Sequence, residues 1–247
     1  MILQSLDRGL QALNILANRE SISVTELAKE LDIDKSTVSR IMETLRQHDM
    51  VQMDKTTRKY RLGFRILYLG ERLSNYLEVI DIARPILMEV SRLLGQSVHL
   101  CAYSRNMVYV IDQIVSNLPY TMSARVGMIE PIHSSSVGKC IMAYRPQDKV
   151  DELLADYEMT PYTEKTITDK AELLAQYEMI RGQGYAVDDE EMFLNVRCIA
   201  VPIFDYHNNV RYAIGISGPI GLMSSENLSL YKKKLESAAR KIGAKLK

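Results

Sequence analysis

Two groups of side chains in this chain carry usable chemistry. One is cationic and hydroxyl-bearing: Lys35, Ser36, Thr37, Ser39, Arg40 and Thr44, followed by Lys55, Arg58 and Lys59. Arginine can fork across the paired acceptors of a guanine edge or grip a phosphate, and Ser and Thr hydroxyls can contact either. The other group lies in the C-terminal half: His133, Lys139, the run Asp188-Asp189-Glu190-Glu191, and Cys198. In principle these supply acid, base and nucleophile. No spacing among them identifies a reaction, acidic runs are usually solvated turns, and Cys198 in an apolar strand has no evident activating base. Residues 133–140, HSSSVGKC, contain the Gly-Lys of a phosphate-binding loop but fail its pattern: His133 occupies the first glycine position and Cys140 the hydroxyl position. What remains is a polar segment expected to open a helix at Gly138, whose free N–H groups can hold a carboxylate. No catalytic residue is assigned, and no enzyme is expected. Cys101, Cys140 and Cys198 form no C-x-x-C pair and the four histidines are scattered. Neither a disulfide framework, a metal site nor a cofactor is expected.

The elements that position the first group follow from apolar spacing. Leu6, Leu10, Leu13 and Ala17 recur as one stripe of an amphipathic helix, which predicts their burial. Ser23 and Glu26 form a capping box before a short second helix that buries Val24, Leu27, Ala28 and Leu31. After the turn at Asp32 to Asp34, with Asp34 as cap, Val38, Ile41, Met42 and Leu45 predict a third helix. Steps of about 100° per residue put Ser36, Arg40, Glu43 and Gln47 opposite that stripe, with Thr37 and Thr44 flanking. Val51 and Met53, then Tyr60 and Leu62, alternate with polar residues across a basic turn, as in a β-hairpin. Helix-turn-helix geometry also occurs in proteins that never touch DNA. A basic hairpin directly after the third helix favours DNA, because a wing supplies phosphate contacts that position the reading helix.

Charge agrees with this division. The chain is neutral overall, yet residues 35–61 carry seven basic and three acidic side chains, a local net of +4, whereas residues 19–34 carry two basic and five acidic, a net of −3. At 247 residues with 47% hydrophobic and 25% charged side chains, two globular domains are expected rather than a disordered or fibrous chain. No apolar run is long enough to span a membrane and the N-terminus lacks the pattern of a secretory signal, which predicts a cytoplasmic protein without a membrane partner.

Residues 63–77 carry Phe64, Ile66, Leu67, Tyr68, Leu69 and Leu73, too many apolar side chains for a helix with one buried face. Contact with a second copy is the reading favoured over a helix wedged between domains, because helix-turn-helix proteins commonly read two half-sites as symmetric pairs. A helix around 80–94, strands at 97–103 and 107–114, and a hairpin of 196–204 with 210–217 give an α+β pattern. In that hairpin Val210, Tyr212, Ile214 and Ile216 share one face, while Ala213, Gly215 and Ser217 share the other. Cys198 and Ala200 likewise oppose Ile199, Val201 and Ile203. The small-residue faces either line a cavity or receive a closely packed helix.

Taken in order, SLDRGLQALNIL, ELAKELDIDKSTVSRIMETLRQHDMVQ and RKYRLGFRILYLG resemble the DNA-binding half of the IclR family of bacterial regulators. HSSSVGKC, GYAVDDEEMFLNVRCIAVPIFD and AIGISGP resemble segments of its effector-binding half. The resemblance implies a winged helix-turn-helix over 1–62, a linker helix over 63–77, and a GAF-like or profilin-like antiparallel sheet flanked by helices over 78–247. It implies double-stranded operator DNA of pseudo-palindromic sequence as one partner, a small organic acid as effector, and a homodimer or dimer of dimers. By motif, the effector-contacting positions fall on Ser136, Val137, Asp188, Cys198, Gly215 and Ser217, beside Gly138, with Gly215 standing where some relatives carry serine. A small-molecule enzyme of GAF-like fold, or a winged helix that binds protein, are the competing classes.

Overall fold

The computed structural model describes residues 2–117 and 124–246. The chain divides into two compact units, residues 1–76 and 77–247, each with its own core.

In the first unit, α1 (Gln4–Ala17), α2 (Val24–Glu30) and α3 (Lys35–Gln47) precede a two-stranded sheet of β1 (Val51–Met53) and β2 (Tyr60–Leu62). Ser23 accepts from the Glu26 N–H while the Glu26 carboxylate accepts from the Ser23 N–H, so α2 starts at a complete capping box. Asp34 caps α3, and Val38, Ile41 and Met42 face the core as their spacing predicts. Helix α1 departs from expectation: it buries Gly9, Ala12 and Leu16, whereas Leu6 and Leu10 stand 59% and 53% exposed. Two apolar stripes run along this helix one residue apart, and periodicity alone does not say which one the core takes. The small side chains at 9 and 12 let α1 approach α3 closely, with Gly9 lying against Ile41. Leu6 and Leu10 are left on an open groove whose other wall is Ile41 and Leu45. The linker segment forms α4 (Phe64–Ser74), none of whose residues is buried.

The second unit is α+β. Helix α5 (Glu78–Leu94) leads into β3 (Ser97–Ser104) and β4 (Met107–Ile114); β5 (Ile129–Glu130), α6 (Ser136–Met142), α7 (Gln147–Ala155) and α8 (Lys170–Gln183) follow. The chain closes with β6 (Ala186–Asp189), β7 (Val196–Phe204), β8 (Val210–Pro219) and α9 (Ser225–Gly243). The strands pair antiparallel throughout in the order β5-β4-β3-β8-β7-β6. One face, carrying Ile199, Val201, Ile203, Ile214 and Ile216, packs on α5 and α9. The opposite face, with Cys101, Ala200 and Ala213, receives α6. Val210 was expected with the isoleucines but sits in the α6-side core. The reason is a bulge: Ile203 pairs with Tyr212 and Phe204 with Val210, so the residue between them reverses the alternation.

Candidate functional site

On α3 the expected DNA-facing residues divide into two sets. The Asp34 carboxylate accepts from the Ser36 hydroxyl at 2.5 Å, the Thr37 hydroxyl at 2.7 Å and the Thr37 N–H at 2.8 Å. These bonds, the Ser36 hydroxyl foremost, hold its carboxyl well below the usual carboxylate range. Thr44 donates to the Arg40 carbonyl at 2.9 Å. Three of the four hydroxyls on this face are thus committed as donors within the helix. Lys35, Ser39 and Arg40 are exposed, and no hydrogen bond or ion pair to another described residue engages their side chains. In the wing, Asp54 organises the turn by accepting from the Thr56 and Thr57 N–H groups. This leaves Lys55 and Arg58 exposed, with Arg58 at φ 58°. Lys59 differs, because its ammonium lies 3.8 Å from the Glu26 carboxylate of the capping box.

In the second unit a cavity of about 120 Å³ opens where β7 and β8 run past the start of α6. Ser136, Val137, Asp188, Cys198 and Ser217 line it, brought together from α6, β6, β7 and β8. Gly215 and Gly138 do not. A β-carbon at Gly215 would stand 2.8 Å from the His99 ring and 2.9 Å from Val137, and one at Gly138 would meet the Pro131 carbonyl at 2.3 Å. These glycines permit the close packing of α6 against sheet and loop, and so shape the cavity from behind. The helix begins at Ser136 rather than at Gly138. Ser135 is its cap and accepts the Gly138 N–H at 3.0 Å, so that N–H is not free for a carboxylate. Lys139 is also turned away: it is buried and pairs with Glu191.

Sequence reasoning missed further cavity residues: His99, Glu130, Met128, Met192 and Phe193. Only the register β3–β8, which sets His99 opposite Gly215, discloses the histidine. Burial pushes its pKa down to about 4, so the ring is neutral near pH 7. Burial raises the carboxyl pKa of Glu130 and of Asp188, in the second case against a hydrogen bond from the Glu191 N–H. Burial likewise keeps the Cys198 thiol protonated, aided by the Asp188 charge, which makes it a poor nucleophile. Glu191 is pushed up to about 7 by burial, opposed by Lys139. Among the described residues no Lys or Arg lines the cavity. Among the described residues no cluster of three His, Cys, Asp or Glu could hold a metal, and no helix is long and apolar enough to cross a membrane.

Each unit matches a family model. Residues 5–55 match the model of the IclR helix-turn-helix domain, and residues 71–244 that of the bacterial transcriptional regulator IclR C-terminal domain. The chain belongs to the IclR family. It is similar to the HTH-type transcriptional regulator KdgR of Escherichia coli, with 35% identity over 95% of this chain and 89% of that protein. To the transcriptional repressor IclR of the same organism the identity is 30%, over 97% and 88%. An IclR transcriptional regulator from Alicyclobacillus acidocaldarius superposes with a TM-score of 0.86 over 99% of both chains at 25% identity. The protein is thus a ligand-responsive, DNA-binding transcription regulator of the IclR type.

Proposed function

We propose that α3 reads operator DNA in the major groove, with Lys35, Ser39 and Arg40 as the groups that reach it and Lys55 and Arg58 of the wing on flanking phosphates. Ser36 and Thr37 serve chiefly to hold the helix start, their donors being given to Asp34. Lys59 adds less than Lys55 because Glu26 already offsets its charge. The winged helix spans 1–62, the linker helix 63–77 and the effector domain 78–247. The working unit is a homodimer or a dimer of dimers on a pseudo-palindrome. Supporting that reading, Phe64, Leu67 and Leu73 on α4 are 62% to 75% exposed in the single chain. The protein acts in the cytoplasm and does no chemistry on its ligand, in keeping with a Cys198 thiol that burial and the neighbouring Asp188 charge hold protonated.

The effector is a small organic acid bound in the cavity beside α6. The acid is what the family resemblance implies; one observation carries the location, that five side chains predicted from four separate segments line a single concave site. A thermal-shift screen of small organic acids on the full chain tests it, since a ligand that binds the folded state raises the unfolding temperature by mass action. A hit should also change affinity for an operator fragment selected from random duplexes. A ligand that shifts unfolding equally in the wild type and in Ser217→Leu, which plugs the cavity, refutes the location.

A further inference from the structure

Among the buried polar side chains that line the cavity is His99. It is only 4% exposed, it lines the cavity, and it has no hydrogen-bond partner among the described residues. A buried imidazole left unpaired is costly unless a ligand or water satisfies it. Its place is made by Gly215 across the β3–β8 ladder, since a β-carbon there would lie 2.8 Å from Nε2 and 3.2 Å from Cε1 of the ring. The imidazole therefore fills the space in which a side chain at 215 would stand. The surrounding polar groups are rich in acceptors: the Glu130 and Asp188 carboxylates line the same cavity, and among the described residues no ammonium or guanidinium lines it, the nearby Lys139 being paired with Glu191. Hydroxyl donors satisfy such a set, and a neutral imidazole both donates to and accepts from a hydroxyl.

We propose that His99, seated in the space left by Gly215, is the specificity-determining residue of this cavity and selects ligands that present several hydroxyls to it and to the Glu130 and Asp188 carboxylates. The effector class is then a polyhydroxylated acid rather than an aromatic or simple oxo acid. Discrimination arises because a ligand lacking the hydroxyl strands a buried polar group, a larger penalty than the loss of an apolar contact. The inference rests on the cavity being the effector site.

Isothermal titration of the full chain with D-gluconate, pyruvate and 4-hydroxybenzoate tests both parts. Wild type should bind D-gluconate most tightly. His99→Phe, which keeps the ring and removes its nitrogens, should weaken D-gluconate by about tenfold or more while leaving the other two within about threefold. Should that variant fail to fold, His99→Gln retains a polar group with altered reach and should weaken D-gluconate in the same selective way. Preference for pyruvate or 4-hydroxybenzoate, or binding of none of the three, overturns the ligand class. Unchanged D-gluconate affinity in the folded His99 variant overturns the role of His99. Ser217→Leu separates this from the underlying reading: if it loses D-gluconate while the His99 variant keeps it, the cavity stands and His99 does not; if it binds as wild type does, the cavity itself is the wrong site.

Discussion

At Arg40 an exposed guanidinium stands on the outer face of α3 beside hydroxyls already held by Asp34. Arg40→Ala should therefore cost about 1 to 3 kcal/mol of specific operator affinity if its contact is bidentate to a base, read by titration against operator and scrambled duplex. Lys55→Ala should instead weaken both duplexes and reduce the salt slope by about one, whereas Lys59→Ala should change it less, because Glu26 shares its charge. Equal slopes for the two lysine variants would contradict that distinction. At Gly215 the close approach of His99 and Val137 predicts that Gly215→Leu overpacks the domain, losing about 1 to 3 kcal/mol in denaturant unfolding rather than only blocking a ligand. Ser217→Ala should fold normally and cost about 1 kcal/mol of ligand affinity.

His99 also sets a pH dependence. A histidine held neutral in the folded state, at about 4 against an ordinary 6.5, stabilises the fold above the unfolded value. That stability is lost as pH falls through the window between the two, because the unfolded chain takes the proton first. Unfolding free energy of the wild type should accordingly fall relative to His99→Phe on acidification from about 6.5 to 4. Glu130 and Asp188 face the same cavity and are present in both proteins, so the difference isolates the imidazole. A constant difference across the window would place the ring in a solvated site.

Among the elements, α4 is the one whose composition and surroundings disagree most within a single chain: rich in leucine, yet without a buried residue. Replacing Leu67 and Leu73 with glutamate should leave the monomer's stability near wild type and lower the mass seen by light scattering at micromolar concentration. An unchanged oligomer would remove α4 from the interface. Helix α6 shows the opposite balance, with every residue from Ser136 to Met142 buried, including Lys139 against Glu191. Removing one partner leaves an unpaired buried charge, so Lys139→Ala should destabilise the chain by about 3 to 5 kcal/mol in denaturant unfolding. A loss under about 1 kcal/mol would mean that water reaches Glu191.

Across the whole molecule, local signals determined the elements and global ones decided their faces. Capping at Ser23 and Asp34, the apolar spacing of α3, the basic turn of the wing and the strand alternation at 196–217 were readable because each depends on residues a few positions apart. The family motifs likewise brought Ser136, Val137, Asp188, Cys198 and Ser217 to attention from the sequence. Which stripe of α1 enters the core was not readable, since two apolar stripes compete and the choice rests on how closely Gly9 and Ala12 let α3 approach. The reversal at Val210 depends on a bulge in the β7–β8 ladder, and the commitment of Lys139 depends on the distant Glu191. His99 entered the site only through its register opposite Gly215. Sequence by itself determined a two-part regulator and named five of the side chains that line the cavity; tertiary structure alone decided which polar groups remain unpaired there, because pairing between distant segments is a property of register and packing rather than of spacing.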